Sequence, residues 1–113
     1  MTNFVIGIPS VTKTITVRRP GREEEQFTAD IRVRDVDAQD KLADQQSKGK
    51  LKGNKHIRED VLSVGGIDDV NGQPVESTDK LIDALFQDPY AMMGLIRAWN
   101  EVQRGLPEEE AKN

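Results

Sequence analysis

A single histidine, His56, and no cysteine limit what these side chains can do chemically. Zinc needs several imidazole or thiolate ligands at short spacings, and this chain cannot supply them. Asp68, Asp69 and Asn71 with Gly72 resemble the start of a calcium loop. Such a loop requires a glutamate at its twelfth position, where counting from Asp68 gives Asp79, and Gln73-Pro74 interrupt the alternation of oxygen ligands. The segment therefore reads as a solvated turn. Serine, histidine and aspartate are all present, but no G-x-S-x-G elbow is. The acidic groups Glu23 to Glu25, Asp68-Asp69 and Glu108 to Glu110 fall in expected loops or the tail, where burial cannot tune an acid or base. Gly65-Gly66, Gly49 and Gly53 match neither phosphate-cradling glycine pattern. The residues thus predict no enzyme, no cofactor and no metal.

Two groups remain, and both suit binding. Residues 48–58, KGKLKGNKHIR, hold four lysines, an arginine and His56 with no acid. They read as an exposed, flexible basic loop over 48–55, in which Lys50, Lys52 and Lys55 are either solvated or facing a partner and His56 is solvated. Nucleic acid is disfavoured as that partner, because the loop has no aromatic for stacking and the chain carries a net charge of -4. The second group is Tyr90 and Met93. Both are residue types enriched at protein interfaces, and both lie off the apolar stripe of the last helix, which leaves core packing and an interface equally open for them.

The positioning elements follow from periodicity. In residues 11–18, Val11, Ile15 and Val17 alternate with threonines, and in 26–34 Phe27, Ala29, Ile31 and Val33 alternate with polar residues. Period two with β-branched residues predicts two half-buried strands. Pro20-Gly21 between them predicts an antiparallel hairpin. Phe4, Val5, Ile6 and Ile8, ahead of Pro9, suggest an arm or an edge strand. A weak helix is expected over 35–47, capped by Asp35 or Asp37 and ended near Gly49. Ile57, Val61, Leu62 and Val64 have helical spacing up to Gly65-Gly66. Asn71-Gly72 marks a turn, and Ser77 or Thr78 caps a helix burying Leu81, Ile82, Leu85 and Phe86. Asp88-Pro89 opens the last helix, whose stripe is Met92, Leu95, Ile96, Trp99 and Val102. Gly105 and Pro107 are expected to stop it, leaving an acidic tail over 106–113.

The fold class predicted is α+β: an N-terminal hairpin packed against three or four short helices, in one domain of 113 residues. Residues 1–34 form the arm and hairpin and 56–105 a helical half. No apolar run approaches the roughly 20 residues that span a bilayer. Met1 to Ser10 lack a basic start and a long apolar core, so no secretory signal is expected. The absence of cysteine suits a reducing cytoplasm.

The order of motifs in the second half resembles the tail assembly chaperones of long-tailed bacteriophages. The resemblance rests on Val61-Leu62, Asn71-Gly72-Gln73-Pro74-Val75, Ser77, Asp88-Pro89 and Trp99, with a threonine- and arginine-rich strand pair ahead of them. It spans residues 11–105 at most. Ser63-Val64-Gly65-Gly66 stands where the family has a Gly-Trp phrase. The resemblance implies a non-enzymatic chaperone in the host cytoplasm. Such a chaperone coats the helical tape-measure protein during tail morphogenesis, and an extended form also recruits the tail tube protein. The alternatives are a structural virion component, such as a minor tail or head–tail joining protein, and a small nucleic-acid-binding regulator using the basic loop. A homo-oligomer is compatible with each.

Overall fold

A computed structural model describes residues 2–104. The stop expected at Gly105 and Pro107 and the acidic tail lie outside the described residues. The elements run β1 (Ser10–Val17), β2 (Glu25–Arg32), α1 (Val36–Ser47), α2 (Lys55–Asp60), β3 (Val61–Gly65), α3 (Asp79–Leu85) and α4 (Pro89–Arg104). The architecture is the expected α+β one. The hairpin gains a third strand, giving an antiparallel sheet in the order β1-β2-β3.

One face of the sheet makes the core. Ile15, Val17, Phe27, Ala29, Ile31, Val61 and Val64 are buried there and meet Ile82 of α3 and Ala91, Leu95 and Ala98 of α4. The period-two residues of β1 and β2 are therefore the buried ones, apart from Val11, which is exposed. Lys13 shares the face of Val11 and Ile15 and reaches Glu101 of α4 at 2.9 Å. On the opposite face Thr12 and Ser63 both donate to the Asp30 carboxylate, tying the three strands together.

The helix expected through Ile57 and Val64 is corrected: only Lys55–Asp60 is helical, and Val61–Gly65 is a strand. Its register shows why. Ser63 pairs with Asp30 and Val61 with Ile31, so Leu62 is an extra residue with no partner on β2. This β-bulge turns Leu62 outward, half exposed, and returns both Val61 and Val64 to the core. Two buried residues three apart then look helical in the sequence. The bulge also revises the division at residue 56, because the supposed helical half contributes a strand to the sheet.

The other boundaries obey local chemistry. Asp35 caps α1 by accepting from the Ala38 amide, and Thr78 rather than Ser77 caps α3 by accepting from Leu81. Ser77 instead accepts from the Val64 amide at 2.9 Å, pinning β3. Asp88 accepts from the Tyr90 and Ala91 amides ahead of Pro89, which opens α4 as expected. The Asp69 carboxylate accepts from Asn71 and Gln73, and Gly72 takes φ 77°. That carboxylate is thus engaged in building the turn.

Helix α4 packs differently from its stripe. Its fully buried residues are Ala91, Gly94, Leu95 and Ala98, while Met92, Ile96, Trp99 and Val102 are only half-buried. The small residues let the helix lie close on β1. A Cβ at Gly94 would sit 2.7 Å from the Ile15 Cγ2 and 3.2 Å from the Thr16 carbonyl oxygen. In α3 only Ile82 of the four expected residues is buried outright; Leu81, Leu85 and Phe86 cover the core's rim.

Candidate functional site

Two surfaces hold the candidate residues, and a buried polar cluster lies between the elements that carry them. The cluster centres on Asp60, the last residue of α2, which is fully buried. Its carboxylate accepts from Arg32 Nε at 2.8 Å, Arg34 Nε at 2.7 Å and Trp99 Nε1 at 2.8 Å. A buried carboxylate is tolerable only with such partners. Sequence reasoning missed Asp60 altogether, since an acid between Glu59 and Val61 looks like any exposed helical acid. Arg32 and Arg34, both cationic and two residues apart on the polar side of β2 and its extension, were the available signal. Trp99, counted as core, has a polar duty as well.

The first surface is a groove of about 500 Å³ along the outer edge of β1. Thr14, Ile15, Thr16 and Arg18 form one wall, and Tyr90, Met93 and Arg97 of α4 line the other. Tyr90 and Met93 are 37% and 56% exposed, so they occupy a rim and not the core. Helix α4 runs antiparallel to β1: its start is tied to the end of the strand by Arg19–Asp88 at 2.8 Å, and its later turns by Lys13–Glu101. Three consecutive strand residues line the groove, which places it at the edge of the sheet instead of on one face.

The second surface is a cleft of about 440 Å³ between α1, the 48–54 connection and α2. It gathers Lys50, Lys52, Lys55, Arg34, His56 and Glu59 beside the apolar Leu42 and Leu51. The three lysines singled out from sequence thus share one site. Gly49 and Gly53 take φ of 69° and 60°, which lets the connection double back over α2. Lys55 is the first residue of α2 and not a loop residue. His56 is likewise corrected. It sits half-buried on α2 with its ring edge-on to Trp99, centroids 5.4 Å apart, and its buried Nδ1 has no hydrogen-bond partner. The histidine therefore joins the rear of the cleft to the Asp60 cluster.

Among the described residues no three His, Asp or Glu side chains converge as a metal site would require. No helix among them is long and apolar enough to cross a membrane. The groove has the edge of β1 on one side and the exposed Tyr90 and Met93 on the other, and the cleft sets three lysines beside Leu42 and Leu51. Comparison with protein-family models, with curated proteins and with solved structures finds no match to this chain.

Proposed function

We propose that this chain is a non-enzymatic assembly chaperone of phage tail morphogenesis, acting in the host cytoplasm on the helical tape-measure protein. The reading starts from the motif order around Val61-Leu62, Asn71 to Val75, Ser77, Asp88-Pro89 and Trp99. The observation that carries it furthest is the basic cleft. Lys50, Lys52 and Lys55 line it together with the apolar Leu42 and Leu51. An amphipathic helix docks by laying its apolar residues on such side chains while its flanking acids meet the lysines. Exposed lysines contribute little each, so many weak contacts spread along a rod suit a client that must later be released.

The test is co-expression with the tape-measure protein encoded in the same genome. The expected result is that the client stays soluble and co-purifies with this chain, and that raised salt weakens the complex. A client that stays insoluble, with this chain retained in purified particles, would replace the chaperone by a structural virion component.

A further inference from the structure

The register of the hairpin shows which backbone groups of β1 are unused. Val33 donates to the Pro9 carbonyl at 2.9 Å, so the 9–33 pair is of the hydrogen-bonded type. Alternation then turns the N–H and C=O groups of Ser10, Thr12, Thr14 and Thr16 away from β2. Among the described residues no backbone hydrogen bond reaches them from outside. An unpaired edge invites another strand, and this one opens into the groove beneath Tyr90 and Met93. Unused backbone donors and acceptors along that edge fit an extended segment, which adds as a strand, better than a helix, whose own backbone groups are satisfied.

The chain carries a segment of matching character. Phe4, Val5, Ile6 and Ile8 are 84%, 62%, 89% and 53% exposed, a run of apolar side chains that its own fold leaves uncovered. Residues 2–12 contain no charged side chain, in a chain that is 32% charged. The groove offers Ile15, Tyr90 and Met93 to such a segment, alongside the charged Arg18, Arg97 and Glu101, whereas the cleft is lined by Lys50, Lys52 and Lys55. Gly7, at φ 83°, sets a bend between this arm and β1, so the arm can take its own direction.

The arm cannot fill the groove of its own copy. Folded back through a two-residue turn at Gly7-Ile8, it would place Ile6 beside Pro9 and Phe4 beside Val11. The groove lies at Thr14 to Arg18, a further three to seven residues along the strand, or roughly 10–23 Å at 3.3 Å per residue. A second copy has no such restriction. We infer that the arm Phe4–Ile8 of one copy adds as a strand to the free edge of β1 in another, seating its apolar side chains against Tyr90 and Met93. Reciprocal exchange would use both arms and both free edges of the pair, closing the interface by two-fold symmetry. The proposal is independent of the chaperone reading, because it uses the groove and leaves the lysine cleft free.

The test is the oligomeric state of the full chain by sedimentation equilibrium. The wild type is expected to self-associate. The arm variant F4S/I6S and the groove variant M93E each change exposed side chains only. Each is expected to raise the dissociation constant at least tenfold while leaving the circular dichroism spectrum unchanged. The absence of native cysteine adds a second measurement. Mixed under oxidising conditions, an I6C copy and an M93C copy should form a mixed disulfide dimer far faster than I6C paired with K80C, a control on the first turn of α3. A wild type that stays monomeric at 100-fold the working concentration, or an F4S/I6S variant that associates as the wild type does, would overturn the proposal. Equal cross-linking to both cysteine positions would overturn it too. Loss of client binding through lysine substitution with association intact would bear only on the chaperone reading.

Discussion

Replacing Asp60 by alanine tests whether the buried cluster holds the fold. The substitution leaves Arg34, 15% exposed at its side chain, and the Trp99 indole N–H without their acceptor. Removing one member of a fully buried ion pair costs about 3–5 kcal/mol. Arg32 is 45% exposed and can turn to water, so the lower end applies, about 3 kcal/mol. For a domain of this size that corresponds to a fall in Tm of roughly 12 °C, at about 4 °C per kcal/mol. Urea unfolding of D60A, W99F and the double variant would measure it. The W99F change alone should cost more in the wild type than in D60A, by about 1 kcal/mol, because the indole bond exists only when Asp60 is present. A D60A cost below about 1 kcal/mol, or no coupling between the two sites, would refute the claim that the carboxylate organises these elements.

Gly94→Ala sets helix propensity against packing. Alanine gains about 1 kcal/mol in a helix interior, but its Cβ would press on the stiff Ile15 branch and the Thr16 carbonyl, at about 1–3 kcal/mol. A net loss of stability in thermal unfolding is expected, and a stabilised variant would show that α4 can slide freely on β1. Deleting Leu62 should be tolerated, since Val61 stays opposite Ile31 and ordinary alternation is restored; the expected change in urea unfolding is within about 1 kcal/mol, and an unfolded product would contradict the bulge. Thr78→Ala should cost about 1 kcal/mol through the lost cap on α3, measured the same way. Changing Lys50, Lys52 and Lys55 together to glutamate should leave stability within about 0.5 kcal/mol, as for exposed positions generally, while abolishing client co-purification.

The strands of the hairpin were legible because Ile15, Val17, Phe27, Ala29 and Ile31 alternate strictly, and nothing but a half-buried strand has that period. The caps Asp35, Thr78 and Asp88 were legible because capping is local chemistry. Strand β3 was hidden by its own irregularity: one inserted residue converts a spacing of two into three. The packing face of α4 was misread for a different reason. Hydropathy weights large side chains, whereas closeness of approach to β1 is set by Ala91, Gly94 and Ala98. Asp60 could not be found at all, because its partners lie 26 to 39 positions away. The placement of the candidate residues needed the structure: Tyr90 and Met93 are exposed on α4, Lys50, Lys52 and Lys55 line one cleft, and His56 is drawn inward by Trp99.

The seating of α4 on β1 has a consequence for how the chain acquires its shape during synthesis. Strand β1 is covered by α4, so its apolar side waits for roughly 75 further residues to emerge. At about 5–20 residues per second that interval is several seconds, against microseconds for a hairpin to form. The nascent hairpin therefore exists uncovered for a long time on its own scale. Its polar face, with Thr12, Thr14, Thr16 and Thr28 beside Asp30, and the loop arginines Arg18, Arg19 and Arg22 keep that half-built sheet hydrated until residue 98 arrives. The threonines and arginines of the first thirty residues thus serve the growing chain as much as the finished one.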